Sequence, residues 1–478
     1  MTIKIDKFGG IAPRQHPTLL ADGMATTAMN VKLDSGKLVP LREPSEVDDV
    51  RIFFENGLTA IKDAKTLLLW RKAEAGGFEM LAFPGMVWAA PGNVADDNLT
   101  RLVVSGYTGV KFNSWSNSPA LYLRENGQKK VVSLCKSRMS RPYVMRASGS
   151  PSLSSGIVRY TRFFYSWVDA YGMESPISSP SVVVTSFDGS SLNPQDKDLE
   201  YLDGDTIMFR ALNPPSGAKK IRVYKVITGA SEGRVQMVFE TSDMGVVTSS
   251  GGFSVTVKDE NAAEVAPEIE SPPGNLRCIQ NVPGSYYCGF SPSYPKTVMF
   301  SDVDLLYSWP TQYRYDIADN IVALAVTSNT VFALTDGWPY ALSGTAPESM
   351  SVAKLASPAA CVSPRGVCVF KNTVFYASNA GLMALANSAT EGTVVQNVTE
   401  QMFTKDQWKA LAPETCLLGH HQGRLYAYFT PSESNPVGLT FNFSEGLSVA
   451  LTQHNEVARC LCVDDAEDDM YFIREKVD

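Results

Sequence analysis

A chain of 478 residues is longer than one ordinary core and has room for roughly two to four domains. Its 44% hydrophobic content excludes a disordered chain, and 19% charged residues beside 35 Gly and 28 Pro favour strands and turns over long helices. The net charge of −8, with no run of Lys or Arg longer than two, argues against a protein that grips duplex DNA through its phosphates.

Residues 1–47 open the chain with many breakers and little periodicity. Met1–Lys7 has no apolar centre, so no secretory leader is expected. Phe8-Gly9-Gly10-Ile11-Ala12-Pro13-Arg14, Asp22-Gly23, Asp34-Ser35-Gly36 and Pro40 cannot build a core of their own. This segment reads as an arm or platform piece laid on something else, with Phe8 and Leu19-Leu20 as apolar anchors. Residues 48–150 read as early propeller blades, together with strands available to a platform: Leu67–Trp70, Leu102–Val104 and Leu121–Leu123 are short apolar runs between turns. The longest apolar run, Leu81–Ala90, is broken by Pro84 and Gly85, so no membrane insertion is expected.

Residues 151–270 change character. Tyr160–Gly172 reads as one long strand with interleaved aromatics. Ser181–Thr185, Thr206–Phe209, Ile221–Val226 and Phe253–Val257 follow at the spacing of a β-sandwich. The run from Tyr165 through Gly172-Met173-Glu174-Ser175 resembles the fibronectin type III strand that leads into a Gly-x-Glu-Ser turn. Ser271-Pro272-Pro273-Gly274 marks the exit.

Residues 271–478 carry a repeat. Asn329-Thr330-Val331-Phe332-Ala333-Leu334-Thr335 is nearly repeated at Asn372-Thr373-Val374-Phe375-Tyr376-Ala377-Ser378, with looser echoes at Leu425–Phe429 and Met470–Ile473. Aligning Val331, Val374, Leu425 and Met470 gives spacings of 43, 51 and 45 residues. A period near forty made of short strands and turns indicates propeller blades. The helical exception is short: Thr399–Phe403 and Lys405–Leu411 carry helix formers, with Thr404 as the candidate N-cap. The architecture expected is therefore all-β: a β-propeller with an inserted fibronectin type III-like β-sandwich and a small N-terminal platform or arm.

No catalytic constellation is visible. The histidines, His16, His420, His421 and His454, make no HExxH, and neighbours 420 and 421 would face opposite sides of a strand. No nucleophile elbow or phosphate loop occurs. Asp464–Asp469 reads as a solvated hairpin loop, with Ca²⁺ binding the alternative. The eight cysteines, spread over more than 300 residues, suit a protein made in a reducing cytosol, with Cys460 and Cys462 as buried thiols on one strand face. No catalytic, cofactor-binding or metal residue is assigned, and no cofactor is expected.

Several words then resemble the tail nozzle (tail hub) proteins of short-tailed bacteriophages. They are Phe8–Arg14, Leu20–Ala25, Ala28–Val31 and Ser35–Leu41, then Gly289-Phe290 with Val298–Ser301 and Tyr307–Pro310, then Leu334–Tyr340 with Ser343–Pro347. The resemblance implies a virion structural protein, made in the host cytoplasm. It would form a ring, six copies in such proteins, through which DNA leaves without being held. Partners would be tail adaptor or portal-proximal proteins, with tail fibres on the outward-facing sandwich. Phe8, Pro13, Arg14, Leu19 and Leu20 are the expected subunit-interface residues. Similar proteins continue beyond the propeller into platform strands. Here the platform is expected from the N-terminal segment and residues near 100–150, or from another protein. The rival expectation is a propeller that binds glycans or a receptor, and a propeller hydrolase trails it.

Overall fold

The computed structural model describes residues 8–34, 37–47, 49–72, 77–93, 97–106, 119–188, 193–226, 234–258, 264–328, 330–388, 392–432, 435–443 and 449–474. Ser35, Gly36, Asn329 and Met1–Lys7 lie outside the described residues. The chain divides into two units. One comprises Met1–Ser133, Pro273–Leu306 and Gln312–Asp478, and the other Leu134–Pro272 with Tyr307–Thr311.

The larger unit is a β-propeller. Among the described residues its innermost strands are Thr66–Arg71, Val87–Pro91, Arg277–Val282, Ile321–Val326, Val367–Phe370, Leu417–His421 and Ala458–Asp464, which we number as blades one to seven. Blades two to six are four-stranded antiparallel meanders. Blade one has three strands, its outermost, Ile52–Phe54, running parallel to Phe78–Phe83, and blade seven is the hairpin of Ala458–Asp464 and Asp469–Arg474.

The repeated apolar runs all occupy one structural position. Val331–Thr335, Thr373–Ser378, Arg424–Phe429 and Asp469–Arg474 are the second strands of blades four to seven. A second strand in blades four to six is covered on both faces by neighbouring blades, which is why its sequence is continuously apolar rather than alternating. Val331, Phe332, Ala333 and Leu334 are all buried, and each large side chain there contributes about 1.5–3 kcal/mol by leaving water. The outermost strand of blade four, Ser351–Lys354, is exposed along its whole length. The turns that launch these strands demand positive φ, as at Lys371-Asn372 and Gln422-Gly423, so Asn and Gly recur there. Of the two runs of helix formers only the second is helical, at Lys405–Ala410, where Thr404 and Gln407 close a capping box, while Thr399–Met402 closes as a turn with the Met402 N–H on the Thr399 carbonyl. Its Trp408 is buried, with the indole N–H on the Ser378 carbonyl at 2.7 Å.

The N-terminal segment has no core of its own and lies on blade six of the same chain. Gly10–Ile11 pairs in parallel with Met24–Ala25. The Asn30 N–H meets the Gln453 carbonyl at 2.8 Å, and the Gln453 N–H meets the Ala28 carbonyl at 2.9 Å. The arm thereby covers the free edge of Val449–His454, the outermost strand of that blade. Ile11 is fully buried in the blade-five and blade-six core, and Phe8 packs against the same cluster. Gly10 has φ +106°, and a Cβ there would stand 2.8 Å from the Leu451 nitrogen. Only glycine lets the arm lie that close.

The smaller unit is a β-sandwich. One sheet has the strand order Val182–Val183, Tyr143–Arg146, Thr206–Phe209, Phe253–Thr256, and the other Phe163–Asp169, Ala218–Val226, Val235–Thr241. Both bury side chains in one cluster, with Val144, Phe163, Ile207, Phe209, Ile221 and Val223 at its centre. The boundary therefore lies at 134, not 151: Val144 is buried there, and its strand pairs with Thr206–Phe209. The expected long strand is also two. Arg159–Thr161 pairs with Leu199–Tyr201 and Phe163–Asp169 with Ala218–Val226, so the chain changes sheets at Arg162.

The edge of Phe163–Asp169 is closed in an unusual way. Ser175, Ser178 and Ser181 lie three residues apart and meet Trp167, Tyr165 and Phe163. Each serine N–H donates to the strand carbonyl at 2.7–2.9 Å. Each serine Oγ accepts the N–H of the same strand residue at 2.9–3.1 Å. Interspersed Pro176 and Pro180 leave this cover with few N–H groups to offer a further strand.

Candidate functional site

Two places on the propeller unit concentrate polar groups that the core does not require: the seat of the arm and the cavity on the propeller axis. At the arm, Arg14 donates its backbone N–H to the Met402 carbonyl at 2.9 Å and its Nη1 to the Glu400 carbonyl at 2.6 Å. Gln407 Nε2 donates to the Pro13 carbonyl at 2.9 Å. Three of the five interface candidates, Phe8, Pro13 and Arg14, are thus engaged inside the chain. Leu20 is half-buried, and Leu19 is 75% exposed. Leu19 is therefore left facing solvent.

The axial cavity, about 860 Å³, is lined by inner strands and loops of blades one, two, three, five, six and seven. Lys65, Arg71, Lys72, Arg101 and Arg365 line it, against Asp97, Asp464 and Asp465. The cationic excess runs opposite to the net charge of the chain.

The three carboxylates here are all matched. Arg71 Nη2 donates to Asp464 Oδ1, and this bond is the main cause that raises the Arg71 pKa. Asp97 accepts the backbone N–H of Leu99 and of Arg101, and Arg101 Nη1 stands 3.4 Å from it. Among the described residues Lys65, Lys72 and Arg365 have no carboxylate partner, and of these Arg365 is held in place by backbone carbonyls. It follows Pro364 on the loop into the inner strand of blade five, and its own carbonyl accepts the Leu418 N–H from blade six at 3.2 Å. Its Nη1 reaches the carbonyls of Arg459, at 3.2 Å, and Lys65, at 3.5 Å. No carboxylate pairs with it among the described residues, and burial pushes its pKa down.

The acidic run Asp464–Asp469 forms the hairpin loop of blade seven, as its composition suggests, and its carboxylates face Arg71, His420 and His421. His420 Nε2 and Nδ1 meet Asp465 Oδ1 at 2.8 Å and Asp468 Oδ1 at 3.1 Å. The His421 Nδ1 lies 2.8 Å from the Asp468 carbonyl. The two adjacent histidines both reach Asp468 and so clasp one loop. The bond to Asp465 raises the His420 pKa. Among the described residues no group of His, Cys, Asp or Glu is arranged to hold a metal ion. Cys460 is buried, which pushes its thiol up to about 12 and leaves it unreactive at neutral pH.

His454, which carries no role in the sequence, is buried between the rings of Tyr426, at 5.9 Å, and Tyr428, at 5.2 Å. Desolvation lowers its pKa from 6.5 to about 4. Below pH 6.5 the unfolded chain takes up a proton that the folded chain refuses, so stability present above 6.5 is lost as pH falls towards 4. The loss from this group amounts to about 3 kcal/mol. His420 works in the opposite sense, stabilising at low pH and releasing that contribution as pH rises through its raised pKa. Urea unfolding at pH 7 and 4.5 is expected to show the drop, and His454→Gln is expected to flatten it.

Fold and site together define a β-propeller protein. No family model matches the chain, and no curated protein matches it. Among solved structures it is similar to the N-terminal domain of Nup159, with a TM-score of 0.27 and 12% identity over 49% of this chain and 59% of that one. It is also similar to AztD of Citrobacter koseri (0.26, 14%, 66% of this chain and 75% of that one) and to the WD40 domain of SCAP from fission yeast (0.27, 8%, 75% and 65%). The chain spans less than two thirds of the Nup159 domain. These likenesses concern fold alone.

Proposed function

We propose that this chain is a non-enzymatic virion protein, a subunit of the nozzle ring through which a short-tailed phage releases its DNA. The observation that carries the reading is the arm. The words Phe8-Gly9-Gly10 and Pro13-Arg14, which resemble nozzle proteins, are those that seat the arm: Gly10 on Leu451, Pro13 and Arg14 on residues 400–407. Seated this way, the arm presents Leu19 to the outside. A structural ring needs rigid discs and exposed contact segments, and it needs no catalytic group. Six copies, adaptor or portal-proximal proteins and tail fibres are the partners this role calls for, and DNA passes without specific binding.

The sandwich is read as fibronectin type III-like. Its central pair, Tyr143–Arg146 with Thr206–Phe209, and its trio Phe163–Asp169, Ala218–Val226, Val235–Thr241 pair as strands B–E and C–F–G of such folds do. Its edge strand Val182–Val183 departs by running parallel to Tyr143–Arg146.

Removing residues 1–44 tests the assembly role. The shortened chain is expected to keep its strand signal in circular dichroism, because no blade strand is lost, but to form no rings in electron micrographs. Rings of normal size from the shortened chain would contradict the proposal.

A further inference from the structure

We propose that the axial cavity of the propeller binds a small oxyanion, a carboxylate or phosphate group, seated on Arg365. The inference goes beyond the ring-forming role and does not depend on it.

The argument begins with where Arg365 is held. Gly366 packs tightly, with a Cβ there standing 3.0–3.2 Å from the Cβ atoms of Ser363, Ala377 and Cys416. Ser363 Oγ donates to the Cys416 carbonyl at 2.9 Å, and the Ala377 N–H to the Gly366 carbonyl at 2.9 Å. The backbone at 363–366 is therefore fixed between blades five and six. From that base the side chain crosses to carbonyls of blade seven and of the loop before blade one. A guanidinium held from three blades is preorganised, so little side-chain entropy remains to be lost when a ligand arrives.

The fork is left open on one side. Nη1 carries both carbonyl contacts, and among the described residues no protein acceptor meets Nε or Nη2. Those two nitrogens form the parallel pair that grips a carboxylate or phosphate through two bonds. A half-buried guanidinium without a carboxylate is costly to retain, and an incoming oxyanion would offset that cost. The surroundings favour the same sign. Lys65 and Lys72 also line the cavity without a carboxylate partner among the described residues, while Asp97, Asp464 and Asp465 are engaged by Arg101, Arg71 and His420. About 860 Å³ accommodates a molecule of monosaccharide size or larger.

The test is thermal unfolding of the full chain at constant ionic strength, titrated separately with inorganic phosphate, glucuronate and glucose. Phosphate or glucuronate is expected to raise Tm saturably by a few degrees, and glucose is not. A response to phosphate alone identifies free phosphate groups as the ligand, and one to glucuronate alone identifies acidic sugars. Arg365→Gln is expected to abolish the shift. Arg365→Lys keeps the charge but not the fork and is expected to weaken binding roughly tenfold. Should Arg365→Gln fold poorly, Lys65→Gln retains the backbone carbonyl that Arg365 uses and is expected to lower affinity while leaving the ligand-free Tm unchanged. No saturable shift with either anion, or an equal shift in Arg365→Gln, would overturn the proposal.

Discussion

Replacing Glu174 with Ala is expected to destabilise the sandwich by about 3 kcal/mol. Glu174 is 3% exposed and collects three donors: the Ser166 hydroxyl, the Tyr224 hydroxyl and, at 2.6 Å, Arg222 Nη1. Without the carboxylate, two buried hydroxyls lose an acceptor and Arg222 keeps, among the described residues, Glu240 at 2.8 Å. A group stripped of its partner in a dry site loses its hydration without compensation, which is why the loss exceeds that of an exposed ion pair. Glu174→Gln retains an acceptor for one hydroxyl and should lose less. Calorimetry reads both variants, and a loss below about 1 kcal/mol in Glu174→Ala would contradict the account.

Gly438→Ala should cost about 2–3 kcal/mol, because its Cβ would stand 2.2 Å from His454 Cε1 and 2.3 Å from Nδ1. Flexible exposed side chains retreat from such a contact, but His454 is held between two tyrosine rings. The cost should therefore be coupled to His454. In the double variant Gly438→Ala/His454→Ala, the loss should be smaller than the two single losses added together. Strict additivity would show that the ring is free to move and that Gly438 is not there to admit it.

The blades were legible because a second strand covered on both faces writes a continuous apolar run, and Val331, Val374, Leu425 and Met470 fall at equivalent positions in four successive blades. Thr404 announced its helix by the same local chemistry that caps it. Residues 134–150 read as propeller because Tyr143-Val144-Met145 is one more short apolar run between turns, and only its partner strand, Thr206–Phe209, reveals its sheet. The serine cover at 175–181 has a period of three, which matches neither helix nor strand, so no periodicity marks it in the sequence. The axial cavity left no trace in the sequence. Lys65, Arg101, Arg365 and Asp464 share one axis only after the ring of blades closes, and no local spacing encodes that closure. Fixed spacings within one element would have exposed a metal or nucleophile site. An arginine that spans from blade to blade offers no such signal.

The central claim is assembly into a ring, and particle mass tests it most directly. Mass photometry of the purified full chain at physiological salt is the measurement. The account predicts a dominant species of about six subunits of 52.0 kDa each. A single population at the mass of one chain, unchanged as protein concentration rises, would contradict it.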